Sequence, residues 1–312
     1  MATAPPTVAN LGVGFDLLGT ALPIPGDTVQ ATLSATPGVR LLEVTGDSAG
    51  LPSDPSRNVA TVAARAVLDA AAPNAGLELK LHKAVPPASG LGSSGSSAAA
   101  GAVAAAMALG LDPLPRSLLL DAACAGEAAA TGSPHADNAA PALFGGLVLV
   151  RRGAELEVLP LPLPPGLHIA VVLPEMSLDT ASARAALPAT VPMSAAVAQA
   201  GDLAATVLAL HSGDLELLGR CLQDRLAEPY RADLLPALAP ARARALAEGA
   251  LGMGISGAGP SLFALARAGS AERIGAALVA AHRDVGLGAR VVHAGPLGGP
   301  GAMRLDAALQ PG

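Results

Sequence analysis

The chain has 312 residues, 51% of them apolar, a formal net charge of −6, and almost no aromatics: no Trp, one Tyr and three Phe. With neither a basic stripe nor stacking platforms, it lacks what a nucleic-acid binder needs. Cys124 and Cys221 stand far apart, form no C-x-x-C pair and fit a reduced, cytoplasmic setting; Met1–Asn10 carries neither the basic region nor the apolar run of a signal peptide.

Length favours two domains, and an apolar fraction poor in aromatics implies a core of Ala, Leu and Val. Mean hydropathy is +0.49. The longest low-charge stretch, Ala84–Leu111, holds two prolines, a Gly/Ser cluster and many alanines, so it is a poor membrane span and no membrane partner is expected.

In chain order, Leu77–His82 alternates as a half-buried strand does. Pro86, Pro87 and a Gly/Ser loop follow. Ser96 to Leu109, stopped by Gly110, predicts a helix, and Ser117 to Ala130 a second. Gly132–Asn138 reads as a polar loop and Leu147–Val150 as a short strand. Leu159–Gly166 holds four prolines in eight residues and marks the expected boundary between residues 1–158 and 159–312. Beyond it come a strand at Leu167–Leu173, helical patterns over Ser194–Ala227 and Pro240–Glu248, and strands at Leu251–Ser256 and Leu262–Ala266 about a Gly-Ala-Gly-Pro turn. A helix at Ala271–His282 and a strand at Arg290–His293 follow. Strands and helices mix throughout, which predicts an α+β class.

The most informative stretch is Pro86-Pro87-Ala88-Ser89-Gly90-Leu91-Gly92-Ser93-Ser94-Gly95-Ser96-Ser97, running straight into the alanine helix. Free N–H groups at a helix start, close backbone approach at glycines and serine hydroxyls together make an anion cradle suited to polyphosphate. A plain helix-capping turn explains less of this run. A dinucleotide site would match Gly90-x-Gly92-x-x-Gly95, but no strand leads directly into Gly90 and no acid follows near position 115 except Asp112. A triphosphate loop remains, without a P-loop lysine, so charge neutralisation falls to a magnesium ion.

This loop resembles the second motif of the GHMP kinases. Ala9-Asn10-Leu11-Gly12-Val13-Gly14-Phe15-Asp16 resembles their first motif in its homoserine-kinase form, and Gly254-Ile255-Ser256-Gly257-Ala258-Gly259-Pro260-Ser261 their third. Gly132–Pro141, with Ser133-Pro134-His135-Ala136-Asp137-Asn138, and Glu228-Pro229-Tyr230-Arg231 before Leu234-Leu235-Pro236 are similar to segments of homoserine kinases. The resemblance spans nearly the whole chain. It implies a two-domain α+β fold: an N-terminal domain like ribosomal protein S5 domain 2, then a ferredoxin-like domain.

It also implies roles. ATP would lie along Pro87, Ser89, Gly90, Leu91, Gly92, Ser93, Ser94, Gly95 and Ser96, with Asn58 near the adenine, although an N-cap accounts for Asn58 equally well. Ser94 and Glu127 would hold Mg²⁺. L-Homoserine would meet Asn10, Asp16, His135 and Asn138 at its amino and hydroxyl ends, and Arg184 and Arg231 at its carboxylate. Thr180 would sit near the γ-phosphate. Asn138 stands where other GHMP kinases carry an aspartate, and an amide takes no proton at neutral pH. Direct transfer is therefore expected, with Asn138 orienting the hydroxyl and Asp137 as the rival base. Other hydroxyl substrates, or a non-catalytic ligand sensor on the same fold, are the alternatives. Family members are often dimers, so a homodimer is expected by relationship alone. The proline-rich start (Pro5, Pro6) departs from the family and predicts an irregular first strand.

Overall fold

The structure, a computed structural model, describes residues 1–47, 51–52 and 54–305. Its first half contains β1 (Ala2–Ala4), β2 (Thr7–Ala9), β3 (Leu18–Ala21), β4 (Asp27–Ser34), β5 (Gly38–Gly46), α1 (Val59–Ala71), β6 (Gly76–Lys83), α2 (Ser93–Ala108), α3 (Arg116–Thr131), α4 (Ala136–Phe144), β7 (Leu147–Arg152) and β8 (Leu156–Leu161). The second half contains β9 (Leu167–Pro174), α5 (Thr180–Ala185), α6 (Met193–Ser212), α7 (Leu215–Arg220), α8 (Glu228–Arg231), α9 (Leu238–Ala247), β10 (Gly252–Ile255), β11 (Leu262–Arg267), α10 (Ala271–Asp284), β12 (Ala289–Pro296) and β13 (Met303–Arg304).

Among the described residues the strands form three sheets, ordered β13-β1-β4-β6-β5, β2-β3-β7-β8 and β10-β11-β9-β12. The irregular start is a strand broken at Pro5-Pro6. Its first piece pairs with β4 and its second with β3, in a different sheet. Proline lacks the N–H a continuous ladder would need, so the chain changes sheets there.

Helices α1, α2 and α3 pack on one another, and α2 lies on β4 and β1. Small side chains permit the approach: a Cβ on Gly101 of α2 would stand 2.4 Å from the Ala60 carbonyl oxygen of α1. The third sheet has the antiparallel ferredoxin-like order, with α9 and α10 against it. Alternation along β9 serves both its faces. Ala170 and Val172 join the core under α9 and α10, while Leu167, Ile169 and Val171 meet Val8, Leu18 and Leu147 of the first half. The two halves thus share a core.

Several expectations are corrected. Helix α2 starts at Ser93, three residues early, because Gly92 adopts a left-handed φ of +63° and turns the loop directly into the helix. The polar loop ends at His135, and Asp137 and Asn138 lie in the first turn of α4. The long helical pattern over Ser194–Ala227 breaks twice: Gly213 caps α6 in a left-handed conformation, and Asp224 takes the backbone N–H groups of Leu226, Ala227 and Glu228 in a turn. The boundary expected at 158 falls inside β8, which pairs along its length with β7; the chain leaves the first half over Pro162–Gly166. Strand β13 then returns to pair with β1.

Helix α6 is long and apolar enough to cross a membrane by length and composition alone. Here it is bolted to the fold. The Gln199 side chain donates to the Val13 carbonyl at 2.6 Å and accepts from the Arg225 N–H at 2.8 Å, while Ala209 and Leu210 enter the shared core.

Candidate functional site

A cavity of about 430 Å³ opens between the halves. One wall is the loop before α2. A Cβ on Gly92 would come within 1.9 Å of the Thr7 hydroxyl, and one on Gly90 within 2.7 Å of the Ser256 and Gly259 carbonyls, so only glycine lets the loop seat against both halves. Pro87, Ser89, Gly90, Gly92, Ser93 and Ser94 line the cavity, and the first N–H groups of α2 lie at its mouth.

Three residues expected on this wall lie off it. Leu91 is buried in the shared core. Gly95 packs against Asn138. The Ser96 hydroxyl donates to the Ala4 carbonyl at 2.7 Å and accepts from the Asp27 N–H at 3.0 Å, so it ties the helix to β1 and β4. Asn58 lines the cavity and also caps α1, accepting from the Ala60 N–H at 3.1 Å.

Glu127 of α3 stands across from the loop, 1% exposed, hydrogen-bonded by Ser94. Burial first, and the charge of Asp137, push its carboxyl up to about 7; the Ser94 bond and Lys83 pull the other way. Among the described residues no three His, Cys, Asp or Glu side chains form a metal cluster of their own. One carboxylate and one hydroxyl oxygen beside a phosphate cradle nonetheless fit Mg²⁺, which takes few protein ligands and completes its shell with phosphates and water.

The other end of the cavity holds the remaining predicted residues. Asp16 (φ +57°) follows the turn begun at Asn10 (φ +70°). The Asn10 amide is committed to that turn: its oxygen accepts from the Asp16 N–H at 3.0 Å and its nitrogen donates to the Gly257 carbonyl at 2.9 Å. Arg184 of α5 donates to both Asp16 oxygens and contacts His135 Nε2, each at 2.9 Å. A guanidinium only donates, so Nε2 accepts and His135 is neutral with its proton on Nδ1. Burial, then the Arg184 charge, lower the His135 pKa in agreement. His135 Nδ1 lies 3.8 Å from Glu127. Arg231, 3% exposed, donates to the Ala183 and Gly257 carbonyls at 3.1 Å. Both guanidinium groups stand over the Phe15 ring, at 5.2 and 5.6 Å. Asn138 Oδ1 accepts from the Thr7 hydroxyl at 2.8 Å, and Thr180, capped into α5 by Asp179, completes the wall.

Sequence reasoning missed Lys83 and Asp27. Lys83 lines the cavity and contacts the Asp27 carboxylate, the Ser93 hydroxyl at 2.7 Å and the Ser97 hydroxyl at 3.0 Å. The signal was present: Leu77, Leu79, Leu81 and Lys83 share one face of β6, so a lysine stands in phase with buried leucines. Phe15, beneath the two arginines, was also passed over.

A glycine-serine loop at a helix mouth, with a buried acid beside it and an Arg/Asp/His cluster lining the same cavity, is the kind of site a small-molecule phosphotransferase needs. Residues 58–146 match the GHMP kinases N terminal domain and residues 206–284 the GHMP kinases C terminal. The homoserine kinase of Pyrococcus abyssi is 40% identical over 284 residues, covering 91% of this chain and 92% of that protein. That of Thermococcus kodakarensis is 40% identical over 287 residues, covering 92% and 94%. The crystal structure of homoserine kinase from Cytophaga hutchinsonii superposes with a TM-score of 0.91 at 39% identity, covering 97% of this chain and 96% of that one. The chain belongs to the homoserine kinase family of the GHMP kinases.

Proposed function

We propose that this protein transfers the γ-phosphoryl group of ATP to the side-chain hydroxyl of L-homoserine, giving ADP and O-phospho-L-homoserine for threonine biosynthesis. One observation carries the reading: the cradle with Ser94 and Glu127, and the Asp16, His135, Arg184, Arg231 cluster, face a single cavity.

In this reading the amides at Ser93 and Ser94, with Ser89 and Gly90, receive the phosphates, and Asn58 lies at the nucleobase end. Ser94 and Glu127 would hold Mg²⁺, which when bound neutralises charge developing on the phosphates. Asp16 takes the substrate ammonium, and Arg184 and Arg231 the carboxylate. Arg184 holds Asp16 through Nη2 alone, so it can keep that pair and turn the rest of its fork to the carboxylate. His135, neutral, orients the amino end. Asn138, its oxygen already held by Thr7, offers its Nδ2 to the substrate hydroxyl. Thr180 faces the transferred phosphoryl. Free, buried Cys124 and Cys221 accord with a cytoplasmic location.

The test is ADP release over a panel of homoserine, threonine, serine, mevalonate and galactose. Release dependent on homoserine is expected. Release with another alcohol would reassign the substrate, and release with none would support a ligand sensor.

A further inference from the structure

The chain has three phenylalanines, and two of them serve its cores. Phe263 is 0% exposed in the core shared by the halves, and Phe144 packs against the core of the first half. Phe15 joins none of the apolar clusters of the described residues. It stands half-buried in the cavity wall, where no other Phe or Tyr among the described residues lines the space.

The turn that carries Phe15 is fastened on both sides. The Val13 carbonyl accepts from the Gln199 side chain at 2.6 Å, and the Asp16 N–H donates to Asn10 Oδ1 at 3.0 Å. Asn10, Leu11 and Asp16 hold φ values of +70°, +44° and +57°, which residues with side chains adopt only at a cost. A strained turn tied down in this way delivers one ring to one place.

That place lies beneath two like charges. The Arg184 and Arg231 guanidinium carbons stand over the ring, 5.2 and 5.6 Å from its centre. Arg231 is 3% exposed and, among the described residues, pairs with no carboxylate; its hydrogen bonds go to two carbonyls. Burial, then the Arg184 charge, lower its pKa. Among the described residues the hydrogen bonds of Arg184 run through Nη2, and those of Arg231 through Nε and Nη1. Nε and Nη1 of the first and Nη2 of the second stay open to a carboxylate. A further acid placed here to balance the charges would occupy those N–H groups and repel the substrate. A ring face attracts a guanidinium yet offers no lone pair to take its N–H groups.

We propose that Phe15 is a positioning residue for substrate selection: its ring face holds Arg184 and Arg231 side by side, charged and open, so that together they clamp the α-carboxylate of the substrate. This rests on the homoserine kinase reading and deepens it. The electrons of the ring, rather than its bulk, then set the preference for an amino acid over a plain amino alcohol.

The rival account is an apolar wedge that fills the turn or touches the substrate methylenes. The two separate when Phe15 is replaced by phenylalanines with increasing numbers of ring fluorines, which weaken the negative face stepwise and change the volume little. The proposal predicts a stepwise fall in kcat/KM for homoserine. Its KM should rise about 10–100-fold at the end of the series and in Phe15→Leu, as for the loss of two desolvated cation–π contacts, with kcat and the ATP KM held within about threefold. The inhibition constant of 3-aminopropan-1-ol, which is homoserine without its carboxylate, should stay constant along the series. A homoserine kcat/KM that is flat along the series overturns the proposal, even if Phe15→Leu is impaired or fails to fold. So does an ATP KM that rises in step with the homoserine KM. An inhibition constant for 3-aminopropan-1-ol that rises with fluorination also overturns it, since the ring would then act on the substrate ammonium directly. Absence of homoserine turnover in the unaltered protein would defeat the functional reading and this inference with it, and that result is distinguishable because it precedes any substitution.

Discussion

Lys83 and Asp27 form an ion pair sealed beneath the loop that carries the phosphate-binding amides, their side chains 2% and 0% exposed. Asp27 also accepts from the Ala84 and Val85 N–H groups and from the Ser97 hydroxyl, so one carboxylate ties β4, β6 and α2 together. Burial lowers the Lys83 pKa despite its partner. Removing one member strands the other: Asp27→Ala should lower the free energy of unfolding by about 3–5 kcal/mol in urea titration. The paired change Asp27→Leu with Lys83→Met should cost markedly less, because no charge is left buried.

Gly92 sits at φ +63° with the Thr7 hydroxyl and Asn138 Oδ1 where its Cβ would be. Gly92→Ala should break the Thr7–Asn138 bond and reduce kcat/KM by more than about 100-fold, comparable to losing several precisely placed contacts. Gly110 is the control: its φ is +72°, but nothing lies within 4 Å of its Cβ. Gly110→Ala should cost only the left-handed strain of about 1–2 kcal/mol and leave kinetics unchanged.

Arg184 reaches both Asp16 oxygens and His135 through one nitrogen, Nη2; lysine could match that single nitrogen but not a two-nitrogen fork on a substrate carboxylate. Arg184→Lys should raise the homoserine KM by about 10–100-fold, the worth of one or two charge-assisted bonds, while the ATP KM stays put. Steady-state kinetics with each substrate varied in turn reads the difference.

Glu127 and Asp137 are both held near 7 by burial, from ordinary values of 4.5 and 3.8. Between about pH 4 and 7 the folded chain therefore binds more protons at these sites than the unfolded chain does. Their contribution falls as pH rises through that window and levels above it. Without metal, Glu127→Gln and Asp137→Asn should each raise the unfolding midpoint at pH 8 and change it little near pH 4. An unchanged difference across pH would contradict the shifts.

Much of this was legible in the sequence because it rests on local rules. The loop from Pro86 to Ser97 announces a helix mouth by composition, and the short apolar runs that become β9, β10 and β11 stand out between turn residues. The ends of α2 and α4 were not legible. Gly92 must be glycine because Thr7 and Asn138, far away in sequence, crowd its Cβ position, and His135 starts α4 with no side-chain cap bond that a pattern could mark. The break at Pro5-Pro6 was visible, but not that its halves enter separate sheets. Ser96 carries the same hydroxyl as Ser94, and only the neighbouring β1 and β4 decide that it faces inward. The Lys83–Asp27 pair joins residues 56 apart, so pattern could have marked each as buried and neither as the other's partner.

The most direct test of the account is a crystal structure with a non-hydrolysable ATP analogue, Mg²⁺ and L-homoserine. The account predicts phosphates on the N–H groups of Ser93 and Ser94, the metal against Glu127, and the amino-acid carboxylate on Arg184 and Arg231. A triphosphate bound elsewhere, with the mouth of α2 left empty, would contradict it.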